Sequence, residues 1–120
     1  MEAFEIIYVD DVIVIEVNLI RSSIDEAIAF RKIAEEEIKS GHTKLVIDLS
    51  KCDYIDSTFF GALIMASGMM NDIGYKLKVV KPAISGEYIF TTTHTLRLFD
   101  IYKTRKEAIK SFERDIQPES

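Results

Sequence analysis

Apolar residues recur at two different spacings along this chain, and the spacing predicts which segments form strands and which form helices. Residues 4–9 and 12–19 are rich in Val, Ile and aromatic side chains, which favour strands. Asp10 and Asp11 lie between these segments and predict a β-hairpin with a two-residue turn. Three later runs are short and apolar, as expected of further strands: residues 44–49, 77–80 and 98–102.

A first helix is predicted where apolar residues recur at spacings of three and four. Ser22 or Ser23 is expected to cap this helix, and Gly41 is expected to end it. The positions expected to face the core are Ala27, Ile28, Phe30, Ile33, Ala34 and Ile38.

Two more helices are predicted further along the chain. One runs over residues 57–73 and consists mostly of small and apolar residues. The other is capped by Thr104, which forms a capping box with Glu107. Residues 85–93 fit neither the strand nor the helix pattern well, because they combine apolar residues with a run of threonines.

Strands that alternate with helices after an opening hairpin predict an α/β domain. We expect a mixed sheet of four or five strands, with the opening β-hairpin at one side and helices mainly on one face. Parallel strands joined by helices should follow right-handed crossovers. The length is that of one domain, assigned here to residues 1–116, with residues 117–120 as a frayed tail.

Composition excludes several classes of function. The formal net charge of −5 and the lack of a basic cluster argue against nucleic-acid binding, which needs concentrated Lys and Arg. The apolar runs are too short for membrane insertion, and the start lacks a signal-peptide pattern. Cys52 is the only cysteine, so neither a disulfide nor a metal cluster is expected. These features predict a cytoplasmic protein without metal or other cofactors.

The segment most informative about function is Asp56-Ser57-Thr58, which follows an apolar strand and opens an apolar helix. The start of a helix presents free N–H groups and the positive end of the helix dipole, which favour negative charge. Asp, Ser and Thr are all preferred N-caps, so these residues could serve only to cap the helix. Alternatively, Ser57 accepts a phosphoryl group, which would change the surface charge with little change of fold.

The next two residues, Phe59 and Phe60, lie in the first turn of this helix, and at least one is expected to be exposed as an interaction surface. A catalytic serine is not expected, because a nucleophilic serine needs a general base. The chain has only His42 and His94, and it lacks a triad or Gly-x-Ser-x-Gly pattern. The sequence therefore predicts a binding protein that is not an enzyme.

With these residues in view, the chain resembles a STAS domain of the anti-sigma factor antagonist type. Residues 45–50 contain Val-Ile-Asp-Leu-Ser and match the central strand of that family. Asp56-Ser57-Thr58, followed by Gly61, matches the turn that opens the second helix. The later residues 96–99, Tyr102 and Glu107-Ala108 are similar to the C-terminal pattern of the family.

The resemblance implies regulation by partner exchange. It implies that Ser57 is the phosphoacceptor and Thr58 a secondary one. An anti-sigma factor that is also a serine kinase would phosphorylate Ser57, and a PP2C-type phosphatase would remove the phosphate. The unphosphorylated chain would bind the anti-sigma factor and so free a sigma factor. ATP would belong to the kinase, and this chain would act as substrate and ligand.

Departures from the family pattern concern the expected partner surface. Phe59-Phe60 replaces Gly-Leu, and Arg21 replaces an acidic residue that tends to lie near the partner. Arg21 could pair with Asp56 or with a phosphate on Ser57, since arginine binds both groups well. The residues expected to bind a partner are therefore Asp56, Phe59, Phe60 and Arg21.

An alternative function stays open. STAS-like domains also serve as subunits of lipid-transport complexes or as scaffolds of stress-sensing assemblies. In that case Ser57 would be only a helix cap, and Phe59-Phe60 would form a permanent interface. Exposed sheet edges and the two phenylalanines are compatible with a monomer or a weak dimer.

Overall fold

The structure, a computed structural model, describes residues 3–18, 24–52, 55–82 and 97–115 of the 120-residue chain. These ranges contain five strands and three helices, close to the segments predicted from the spacing of apolar residues. The ambiguous segment 85–93 and the cap candidates Ser22 and Ser23 lie outside the described residues. The strands are β1 (Phe4–Val9), β2 (Val12–Val17), β3 (Leu45–Asp48), β4 (Leu77–Val80) and β5 (Phe99–Tyr102). The helices are α1 (Ile24–Lys39), α2 (Ser57–Asp72) and α3 (Arg105–Asp115).

The five strands form one mixed sheet in the order β1-β2-β3-β4-β5. The pair β1 and β2 is the predicted antiparallel hairpin, and the later strands run parallel to β2. Asp10, the first turn residue, has a positive φ of 56°, which primed hairpin turns require at this position. Aspartate tolerates this left-handed conformation better than most residues, so Asp-Asp can close the hairpin.

Helices α1 and α2 cover one face of the sheet, because both described crossovers wind in the same direction across neighbouring strands. An aromatic cluster joins the layers: the ring centroid of Phe30 lies 6.1 Å from that of Phe4 and 5.1 Å from that of Phe59. Ile28 was predicted to face this core but is 64% exposed. It lies about 100° around the helix from Ala27, outside the stripe that α1 buries.

Helix α3 covers the opposite face. Two of the three described helices share one face, which confirms the prediction of helices mainly on one face. Ala108 and Phe112 of α3 pack on the valines of β2, β3 and β4. The same layer buries Lys78, whose Nζ lies 3.2 Å from the Tyr102 hydroxyl and 4.5 Å from the centroid of Phe112. The aliphatic stem of the lysine thus fills the core while its charge contacts an aromatic face and a hydroxyl.

An ion-pair cluster fastens the start of α3 to the sheet. Glu16 and Asp48 are opposite each other in β2 and β3 and are only 5% and 2% exposed. Arg105 donates from Nε to Asp48 Oδ2 at 2.7 Å and from its second terminal nitrogen to Glu16 Oε2. Lys51 Nζ donates to Glu16 Oε1 at 3.0 Å. Buried carboxylates require such partners, because leaving water costs them several kcal/mol.

The cluster lowers the pKa of the Glu16 carboxyl. Burial raises the pKa of the Glu16 carboxyl, but hydrogen bonds from Lys51 and Arg105 and their positive charges outweigh burial. The pKa therefore lies below its ordinary value. A carboxyl whose pKa is lower in the folded state stabilises the fold above its unfolded pKa of about 4.3. That stabilisation is lost as the pH falls through the folded pKa.

The substitution Glu16→Gln tests the cluster, since it removes the charge and keeps the size. At pH 7 we expect the free energy of unfolding to fall by about 1–3 kcal/mol, because Arg105 and Lys51 lose a charged acceptor. Below about pH 4 the difference from the native protein should shrink, because the unfolded carboxyl then takes up a proton while the folded one resists it, and it should vanish below the folded pKa. Urea denaturation at a series of pH values measures this difference.

The exposed Glu36 of α1 provides a matched control. Glu36→Gln should change the free energy of unfolding by less than about 0.5 kcal/mol at every pH. A Glu16→Gln difference that stayed constant between neutral and acidic pH would show that the charge of Glu16 does not stabilise the fold.

Candidate functional site

The segment between β3 and α2 is anchored in the core, and it delivers the start of α2 to the carboxyl edge of the parallel strands. Leu49, Cys52 and Ile55 are all buried. The Leu49 N–H donates to Val80 O at 2.9 Å, and the Cys52 N–H donates to Leu49 O at 3.0 Å. This anchoring leaves the next residues in a defined position at the surface.

Asp56 is the N-cap of α2. Its backbone is extended, with φ −81° and ψ 171°, and its Oδ1 accepts a hydrogen bond from the Phe59 N–H at 2.8 Å. This is the geometry of an N-cap side chain satisfying an N3 donor. Asp56 therefore performs the capping role that the alternative function assigned to Ser57, and the view of Ser57 as only a helix cap is corrected.

Ser57 and Thr58 occupy the first two helical positions after the cap, and both are exposed. Their N–H groups belong to the first turn, where a helix has no intrahelical acceptors. The helix dipole adds a positive potential at the same place. The arrangement therefore presents two hydroxyls to solvent where added negative charge is favoured by the backbone and opposed by the neighbouring carboxylate of Asp56.

Phe59 requires a correction, because its ring is fully buried and packs on Phe30. It lies three and four positions before the buried residues Ala62 and Leu63, so the period of the helix places it on the core face. It does not belong to a partner surface. Phe60 is half-buried, and its ring meets that of Phe99 edge-on at 5.9 Å. Only part of the Phe60 ring reaches the surface.

Other candidate residues do not join this site. Arg21 and His94 lie outside the described residues. His42 precedes β3, and its Nδ1 is hydrogen-bonded to Glu37 at 2.7 Å. Ser57 follows β3 and so lies toward the opposite end of that strand. His42 is therefore not placed to act as a base for Ser57.

The described residues contain neither a metal site nor a membrane-spanning helix. No group of three or more His, Cys, Asp or Glu side chains there is arranged to hold a metal ion. Across the same part of the chain, every helix is too short or too polar to cross a membrane.

Sequence reasoning missed the part that the buried carboxylates play at this edge. Asp48 Oδ1 accepts the Ser50 N–H at 2.9 Å, so the same side chain that holds Arg105 also shapes the first turn toward Asp56. A signal was present, since Glu16 and Asp48 each interrupt an otherwise apolar strand. Charged residues are almost never fully buried unless they are paired, so each interruption indicates a distant cation.

Substitution at the start of α2 separates capping from surface chemistry. Asp56→Ala should lower the free energy of unfolding by about 1 kcal/mol, because the Phe59 N–H loses its acceptor. Ser57→Ala should change it by less than about 0.5 kcal/mol, because an exposed side chain is removed. Thermal or urea unfolding of the two variants measures both values. A larger loss in Ser57→Ala than in Asp56→Ala would mean that Ser57 is the cap in solution.

Comparisons with known proteins identify the fold family. The STAS domain family model matches residues 8–108. A candidate anti-sigma factor antagonist of Thermotoga maritima is 28% identical over 107 residues, covering 88% of this chain and 94% of that protein. A crystal structure of a candidate anti-sigma factor antagonist from T. maritima superposes with a TM-score of 0.81 at 27% identity, covering 92% of this chain and 95% of that one.

A more distant structure shares the fold alone. The anti-sigma factor antagonist SpoIIAA in its unphosphorylated form has a TM-score of 0.71 at 14% identity and is covered completely by 95% of this chain. The five-stranded mixed sheet with its helices is thus the STAS arrangement. The chain belongs to the STAS domain family, and it is similar to proteins of that fold that are named anti-sigma factor antagonists.

Proposed function

We propose that this protein is an anti-sigma factor antagonist whose partner binding is switched by phosphorylation of Ser57. The observation that carries the proposal is that two neighbouring residues have different roles at the start of α2. Asp56 caps the helix, and Ser57 is exposed beside it. A serine that serves as neither cap nor core residue is available to a kinase. The relatives named as anti-sigma factor antagonists supply the class of partner.

The electrostatics of the site support a switch of surface charge rather than of fold. A phosphoryl group on Ser57 brings a charge of about −1.5 to −2. Free N–H groups of the first turn and the helix dipole stabilise it, and the Asp56 carboxylate repels it. The segment below stays held by its buried side chains Leu49, Cys52 and Ile55. The phosphate therefore changes what a partner meets at this surface.

The proposed partners are those that the resemblance to anti-sigma factor antagonists implies. An anti-sigma factor with serine kinase activity binds the unphosphorylated form, releases a sigma factor, and phosphorylates Ser57 with its own ATP. A PP2C-type phosphatase restores the hydroxyl. Thr58 is the secondary acceptor. Asp56, the exposed part of Phe60 and Arg21 contribute to the contact. The protein itself catalyses no reaction, and the exchange takes place in the cytoplasm.

A constitutive assembly module is the competing function, and one observation favours it. Helices α1 and α2 expose several large apolar side chains, namely Ile24, Ile28, Ile64 and Met65. Exposed apolar groups of this size are common at permanent interfaces. In this function Ser57 would be unmodified under all conditions, and that difference separates the two proposals.

Phosphopeptide mapping of the protein from its native cells distinguishes them. Trypsin should release residues 52–76 as one peptide, since no Lys or Arg lies between Lys51 and Lys76. We expect phosphate on Ser57, with any on Thr58 as the minor species, and its removal by a PP2C-type phosphatase. An unmodified peptide across growth, starvation and stress would favour the assembly module.

Charge substitutions test the effect on binding. Ser57→Asp should weaken binding to the anti-sigma factor of the same organism by at least about tenfold, or about 1.4 kcal/mol, with an unchanged circular dichroism spectrum. Ser57→Ala should bind like the native protein but take up much less phosphate from the kinase, with any remainder on Thr58. Isothermal titration calorimetry and a phosphorylation assay measure these results.

Asn71→Asp is the matched control, because it adds one charge at the opposite, exposed end of the same helix. It should leave binding unchanged. If Ser57→Asp bound as tightly as the native protein, charge at Ser57 would not control the complex, and the switch would be rejected.

A further inference from the structure

Strand β1 forms one outer edge of the sheet and pairs with β2 through all six of its residues, without a bulge. In an antiparallel pair, alternate residues direct their backbone groups toward the partner strand. The Asn18 N–H donates to Ala3 O at 2.8 Å, which places Ala3 and the odd-numbered residues of β1 in that set. The N–H and C=O groups of Phe4, Ile6 and Tyr8 therefore point away from the sheet.

The two edges of the sheet differ in their protection. The opposite edge strand, β5, has only four residues and carries Asp100, which is ion-paired with Lys76 at 3.3 Å and with Lys78 at 3.8 Å. Charges and short length are the usual devices that keep an edge from pairing. Strand β1 contains no Lys or Pro, and Glu5 is its only charge.

The unprotected edge also exposes apolar side chains. Ile6 is 38% and Tyr8 62% exposed, and both lie on the α1–α2 side of the sheet, opposite Ile15 and Ile13 of β2. An apolar edge whose outward backbone groups have no partner strand among the described residues is a template for another strand. Its chemistry fits an extended segment of alternating apolar residues, and β1 of a second copy is such a segment.

We propose that β1 pairs antiparallel with β1 of a second copy about a two-fold axis, so that two five-stranded sheets become one of ten strands. The register of this pairing follows from the outward-facing N–H and C=O groups of β1. Pairing centred on Ile6 sets Ile6 opposite its own counterpart and Tyr8 opposite Phe4, and it uses all three outward-facing residues. Centring on Glu5 would oppose two carboxylates, which is destabilising. Centring on Ile7 would use the outward-facing backbone groups of Ile6 and Tyr8 only, and those of Phe4 would not join the pairing.

The resulting interface is isologous, as two-fold dimers require. Cross-strand pairs of aromatic and β-branched residues are among those that stabilise sheets. The inference does not rest on Ser57, because β1 contains none of the residues of the proposed phosphorylation site.

A charge swap at Ile6 tests both the edge and the register. The native full-length chain should sediment as a concentration-dependent mixture of one and two copies. Ile6→Lys and Ile6→Glu should each raise the dissociation constant by about tenfold or more, because like charges then face each other across the axis. Mixing the two variants should restore association as a heterodimer, and this rescue would not occur if Ile6 only supported folding.

Ile28→Lys is the control, since it changes the same residue type at a more exposed position on α1, 64% against 38% exposed, and should leave association unchanged. Tyr8→Lys gives a second edge variant should either Ile6 variant fail to fold. A single-copy mass at all concentrations into the millimolar range would overturn the proposal. Association that is unaffected by the Ile6 variants, or variants that do not rescue each other, would overturn it as well, because the contact would then lie elsewhere.

Discussion

The charge compensation of two buried carboxylates organises this protein. Glu16 and Asp48 lie side by side near the ends of β2 and β3, where water is excluded. Arg105 donates hydrogen bonds to both carboxylates and so replaces contacts that they would make with water. Because Arg105 is the first residue of α3, this pairing also fixes where that helix starts. The other carboxylate oxygen of Asp48 accepts a hydrogen bond from the Ser50 N–H and so holds the turn that leads toward α2. One electrostatic requirement thus connects the hairpin, the central strand, the last helix and the segment before Ser57.

Local signals were sufficient to predict most of the fold. The hairpin and the three helices follow from apolar spacing, from Asp10 at the turn and from the cap at Thr104, whose Oγ1 accepts the Glu107 N–H at 3.1 Å. Each of these signals acts within a few residues, so the sequence displays it directly. The parallel pairing of β2, β3 and β4 follows from the alternation of strands with helices.

What the sequence did not reveal depends on distant or nearly equivalent groups. Arg105 is 57 residues from Asp48 and 89 from Glu16, so no local pattern joins them. Asp, Ser and Thr have similar preference for the N-cap, and only the backbone conformation assigns the role to Asp56. The burial of Phe59 depends on the position at which α2 begins, since a shift of one residue would turn its ring by about 100°.

The common direction of the two described crossovers has a consequence for how this molecule can be recognised. Open α/β sheets hold small molecules in the crevice that forms where the strand order reverses, and no reversal occurs between β2 and β4. A partner bound at the carboxyl ends of these strands therefore contacts helix starts and turns rather than a crevice. Its affinity must come from contacts spread over a broad surface. Charges at the rim of such a surface act chiefly on the rate of encounter. Ionic strength should then tune how quickly a partner finds this edge more than how long it stays.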